Sequence, residues 1–155
     1  MYPNVIYYDT NFHQEAIMSS VQKSMRIPKE TVKEIQEIAQ QTGKDFSSVA
    51  KELLEEAIKM HRCPGIVFDE GVRSRRARIA GTGIEVWEVI ANYKSVGDDF
   101  ERLHAIYHWL TSPQLRAALA YYRTYQDEID HLITRNEKWT RESIHKRYNF
   151  LVGSR

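Results

Sequence analysis

The chain has 155 residues and a formal net charge of +1, too balanced for a nonspecific nucleic-acid coat, so any DNA contact must come from local patches. Its one cysteine, Cys63, rules out an internal disulfide framework and a multi-cysteine metal site and fits a reducing compartment. No apolar run approaches a membrane span and the start lacks the basic-then-apolar order of a signal peptide, so a cytoplasmic protein of two small domains or one medium domain is expected.

Residues 1–20 read as an extension. Tyr2, Val5, Ile6, Tyr7, Tyr8 and Phe12 make it aromatic for a disordered tail, which leaves docking and disorder both open. Residues 21–27 then alternate with period two. Val21, Met25 and Ile27 share one strand face with Lys23, while Gln22, Ser24 and Arg26 share the other. A strand this short has no neighbouring segment to pair with and must find its partner in another chain or a distant segment.

Two helices follow. The first starts at Pro28, places Val32, Ile35, Ile38 and Ala39 on one face and stops at Gly43. Asp45 is placed to cap the second, whose Phe46, Val49, Ala50, Leu53, Leu54, Ala57 and Ile58 form a wide apolar face. One strand and two amphipathic helices expose more apolar surface than they can cover alone, so a homodimer is expected.

The segment 21–62 resembles a ribbon-helix-helix DNA-binding domain. That resemblance implies two chains pairing their strands antiparallel and laying the ribbon in the major groove. Gln22, Ser24 and Arg26 would then face bases, Arg26 suiting guanine and Gln22 adenine, and backbone N–H groups near Ser47 would anchor a phosphate. Lys23, on the apolar face, is a departure from the pattern.

Pro64-Gly65 marks a boundary after the second helix. Ile66-Val67-Phe68 and Arg76-Ala77-Arg78-Ile79 read as short strands, with Asp69-Glu70-Gly71 as the turn. Gly81-Thr82-Gly83 lacks dinucleotide and phosphate-loop spacing and reads as a tight strand-to-helix turn opening a helix near Glu85. That helix carries Val86, Val89, Ile90 and Tyr93 and ends at Gly97. Asp98 or Asp99 caps a second with Phe100, Leu103, Ile106 and Tyr107. Ser112 caps a third, with Pro113 in its first position and Leu115, Ala118, Leu119 and Tyr122 inward. Residues 127–137 read as one more helix.

The blocks Gly65–Phe68, Arg78–Trp87 and Leu110–Tyr122 resemble, in order, the family catalogued as domain of unknown function 433, whose members are similar to VapB-type antitoxins with a helix-turn-helix domain. Gly83 departs from it, because many members carry a basic residue there. The resemblance implies an antitoxin that binds a toxin, commonly a PIN-like ribonuclease, and represses its own operon. The expected fold is therefore mainly α. A ribbon-helix-helix dimerisation unit (21–62) precedes a helix-turn-helix domain with a small β-hairpin (64–137), flanked by the extension 1–20 and a partner-binding tail 138–155.

Arg73, Arg75, Arg76 and Arg78 could follow a phosphate backbone, or form a solvated loop balanced by Asp69 and Glu70. Gln114 and Arg116 sit near the start of the third helix, where a recognition helix reaches bases, although the rest of it is poor in donors. In the tail, Trp139, Tyr148 and Phe150 interleave with Arg141 and Arg147. Apolar anchors among cations suit docking onto an acidic concave partner such as a nuclease metal site, and equally a helix completing the fold.

An enzyme is the chief rival class. His104 and His108 are four apart but have no Glu-flanked zinc pattern, and Cys63 has no evident base. No cofactor and no metal is expected. A stand-alone transcriptional regulator and a DNA-free dimeric adaptor are the alternatives to the antitoxin.

Overall fold

The computed structural model describes residue 21, residues 23–70 and residues 75–140. It is mainly helical with one small antiparallel hairpin, in the order α1 (Lys29–Thr42), α2 (Phe46–Arg62), β1 (Ile66–Glu70), β2 (Arg75–Ile79), α3 (Val86–Ser95), α4 (Phe100–Ile106), α5 (Ser112–Thr124) and α6 (Gln126–Thr140). The chain divides into two compact units between Phe46 and Ser47, which places α2 with the elements after it.

In the first unit, residues 23–28 have no regular secondary structure. Proline fixes its own φ and has no N–H to satisfy, and Pro28 accordingly sits just outside α1, its carbonyl taking the Val32 N–H at 3.1 Å. Gly43 ends the helix in the left-handed conformation, φ 67°, which glycine adopts without steric penalty. Ile35 and Ala39, one turn apart, are the buried residues of α1.

In the second unit, Ile66, Ala77 and Ile79 of the hairpin pack with Val86, Val89 and Ile90 of α3, Leu103 of α4, Leu115, Ala118 and Tyr121 of α5, and Ile129 of α6. Gly65 lets the first strand approach α5: a Cβ there would lie 3.1 Å from Ala117 Cβ, and its φ of 91° is one that other residues rarely adopt. α2 contributes buried Val49 but leaves Leu54 and Ile58 about half exposed, at 54% and 52%.

Two local expectations are corrected. Asp69 and Glu70 do not turn the chain; they extend β1, with Asp69 opposite Arg76 and Glu70 opposite Arg75. Backbone pairing with β2 continues through both residues, a gain that a turn at Asp69 would forfeit. The third C-terminal helix is capped by Thr111, not Ser112, and Pro113 occupies its second position. Thr111 Oγ1 accepts from Gln114 N at 3.4 Å and Gln114 Oε1 accepts from Thr111 N at 2.9 Å. A reciprocal capping box needs an amide or carboxylate side chain three residues after the cap, and only the Thr111 frame supplies one, since Ser112 would face Leu115.

Of the two candidate caps for α4, Asp99 is used. Its carboxylate takes the N–H groups of Glu101 and Arg102 at 2.9 and 3.0 Å, while Asp98 completes the preceding helix end at φ 59°. The run Ala80–Gly83 is the expected tight turn. Thr82 Oγ1 donates to Ile79 O at 2.9 Å and accepts from Ile84 N at 3.2 Å, folding Glu85 back beside Arg78. Among the described residues, no helix is long and apolar enough to cross a membrane.

Candidate nucleic-acid and partner interfaces

The sequence-derived candidates are spread over both units. Ser24 and Arg26 are exposed in the irregular segment before α1, as are Val21 (75%) and Met25 (65%). Ser47 is exposed in the first turn of α2. Gln22, Arg73, Arg141, Arg147, Tyr148 and Phe150 lie outside the described residues, and Trp139 is within α6.

The hairpin arginines are brought together, and each meets a carboxylate. Arg75 Nε donates to both oxygens of Glu56 on α2, at 2.9 and 2.8 Å. Arg76 Nη1 donates to Glu85 Oε2 at 2.9 Å and Arg78 Nη2 to Glu85 Oε1 at 3.4 Å; the Trp87 indole N–H also donates to Glu85. Burial alone would raise the Glu85 pKa, but the hydrogen bonds from Arg76, Trp87 and Arg78 and the Arg76 charge outweigh it and hold the carboxyl below its usual range. Glu85 thus stays ionised between two guanidinium groups. A phosphate approaching Arg76 or Arg78 must share them with this carboxylate.

Gln114 is engaged by the Thr111 cap, and the Arg116 guanidinium lies 4.6 Å from the Phe100 ring centroid, a cation–π contact between α5 and α4. His104 Nε2 lies 3.1 Å from Leu110 O, and His108 stacks edge-on against Trp109. Among the described residues, no group of three or more potential ligands could hold a metal ion. Cys63 is buried in the core.

Three arrangements escaped the linear reading. Lys59 on α2 pairs with Glu128 on α6 and lies over the Phe68 and Tyr125 rings. Lys94 pairs with Asp130 at 2.6 Å, beside the Tyr122 hydroxyl. Asp130 is the main cause that raises the Lys94 pKa, and the Lys94 hydrogen bond is the main cause that lowers that of Asp130. Ile84, Trp87, Glu88, Ala91, Asn92, Tyr107 and Trp109 line a groove of about 410 Å³. The partners in each case lie on different elements, and nothing in the linear pattern pairs them. A glutamate three residues after Glu85 was the one available signal, for the hydrogen bond from Glu85 N to Glu88 Oε2 at 3.0 Å.

Residues 66–122, spanning the hairpin and α3 through most of α5, match the family described as protein of unknown function, DUF433. No curated protein and no solved structure gives a significant match.

Proposed function

We propose that the protein is the antitoxin of a toxin–antitoxin pair: a homodimeric DNA-binding repressor of its own operon that also neutralises a PIN-like ribonuclease. The observation that carries the dimeric, DNA-reading part is the pattern of exposure. Val21 and Met25, on one face of the alternating run, are largely exposed, as are Leu54 and Ile58 on α2. Apolar side chains at strand and helix spacing, left in water by a single chain, are what a second copy would cover. The polar face of the same run offers Ser24 and Arg26, with Gln22 beside them in sequence, for base contacts.

In this reading the ribbon carries sequence specificity, and the hairpin arginines serve at most as phosphate contacts. Their charge is already shared with Glu56 and Glu85. Toxin neutralisation is assigned to the tail 138–155, whose Trp139, Arg141, Arg147, Tyr148 and Phe150 combine the residue types that dominate binding hot spots. The match over 66–122 supports the family resemblance, and the helix-turn-helix assignment of α3–α5 stays within this proposal.

The test is binding of the full chain to DNA upstream of its own reading frame over a salt series, with co-expression of the neighbouring gene product. Salt-sensitive, sequence-specific binding together with rescue from a toxic neighbour is expected. Specific binding without a toxic neighbour would make the protein a stand-alone regulator. A dimer that binds no DNA would make it an adaptor.

A further inference from the structure

The groove on the outer side of α3 belongs to neither of those roles. Its walls are aromatic: Trp87 from α3, with Tyr107 and Trp109 from the segment joining α4 to α5. Tyr107 and Trp109 meet edge to face, their centroids 5.6 Å apart, and Trp109 is 61% exposed. Asn92 Nδ2 donates to the Tyr107 hydroxyl at 2.8 Å, which fixes the tyrosine against α3. Its volume, about 410 Å³, falls within the range of small-ligand sites, roughly 300–1,000 Å³.

The charged group in this groove is Glu88. One of its oxygens takes the backbone N–H of Glu85, and among the described residues no lysine or arginine pairs with it. Three other half-buried carboxylates of this unit do have cations: Glu56 has Arg75, Glu85 has Arg76 and Arg78, and Glu128 has Lys59. A carboxylate without a cation, lining one groove with three aromatic side chains, offers an organic cation two kinds of attraction. The ring faces attract positive charge, and the carboxylate supplies charge-assisted hydrogen bonds. A planar guanidinium suits it better than an ammonium, because it can stack on an indole while donating sideways to the carboxylate.

We infer that the groove lined by Trp87, Glu88, Tyr107 and Trp109 binds an alkylguanidinium group, borne either by an arginine side chain of a peptide or by a free small guanidine. The site is independent of the DNA and toxin assignments and stands or falls separately from them.

The full chain labelled with 5-fluorotryptophan provides the readout, since its three tryptophans, Trp87, Trp109 and Trp139, give separate fluorine signals assignable by single Trp→Phe variants. The probes are agmatine and the blocked peptide acetyl-Gly-Arg-Gly-amide, the peptide also in a form with neutral citrulline in place of arginine. Saturable shifts of the Trp87 and Trp109 signals are expected, with the citrulline peptide weaker by about tenfold or more. Tighter binding of the peptide would assign the arginine of a protein segment, and tighter binding of agmatine a free guanidine.

Glu88→Gln keeps an oxygen for the Glu85 N–H and removes the charge, and should weaken binding by about tenfold. Trp109→Leu, at an exposed position, should also weaken it while leaving the thermal midpoint unchanged. Absence of saturable shifts, equal binding of the citrulline peptide, or undiminished binding by both variants would overturn the assignment.

Discussion

Lys59 Nζ on α2 lies 2.5 Å from Glu128 Oε2 on α6, although the two residues are 69 positions apart, and the same ammonium sits over the rings of Phe68 and Tyr125. Glu128 also accepts from the Tyr121 hydroxyl at 2.9 Å. One cation therefore ties α2 to the hairpin, to the residue joining α5 and α6, and to α6 itself. Lys59→Ala should destabilise the fold by about 1–2 kcal/mol in urea unfolding, because both partners are largely shielded from water. A double-mutant cycle with Glu128→Gln should show coupling. Strictly additive effects would mean that the pair contributes nothing and that α2 is held by packing alone.

Glu85 predicts an acid limb in the stability profile. Its folded pKa is depressed, so its contribution is complete above the unfolded glutamate value, about 4.3, and is lost as pH falls through the lower folded value. Urea midpoints measured on the acid side of neutrality should fall more steeply for the natural protein than for Glu85→Gln below about pH 4.3. Parallel curves for the two proteins would remove Glu85 from the account of acid sensitivity.

The start of α5 separates two adjacent hydroxyls. Thr111→Ala should cost about 1 kcal/mol by removing the cap, whereas Ser112→Ala, one residue inside the helix, should change stability by less than about 0.5 kcal/mol. The reverse order would place the cap at Ser112.

Arg26 is exposed in the first unit and should matter to DNA alone. Arg26→Ala should weaken specific operator binding by about 1–3 kcal/mol while the thermal midpoint stays within error. Operator affinity equal to that of the natural protein would remove this side chain from the base-reading set.

The exposed apolar surface predicts self-association. Leu54→Lys combined with Ile58→Lys should shift the protein from dimer to monomer in light scattering at micromolar concentration. A natural chain that is already a well-folded monomer would refute the dimer.

What could be read directly from the chain was whatever physical chemistry acts within a few residues. Pro28 and Gly43 bound α1 because their own backbone preferences act there. One of two adjacent aspartates caps α4, and the turn through Gly81-Thr82-Gly83 closes through a threonine hydroxyl and backbone groups at most three positions away. The order of the blocks between Gly65 and Tyr122 was enough to point to the family that residues 66–122 match. The cap of α5 falls at Thr111 and not at the residue before Pro113, because the Thr111–Gln114 spacing, and not the proline, sets the frame. Tertiary structure alone decided which charges meet. Whether Arg76 and Arg78 face a phosphate or a carboxylate depends on where Glu85 returns after the turn. Lys59 acquires Glu128 through packing of helices distant in sequence, and Trp87 and Trp109 come to line one groove. Electrostatic and aromatic contacts depend on distance in space, and a linear pattern records that distance only where one turn of backbone spans it.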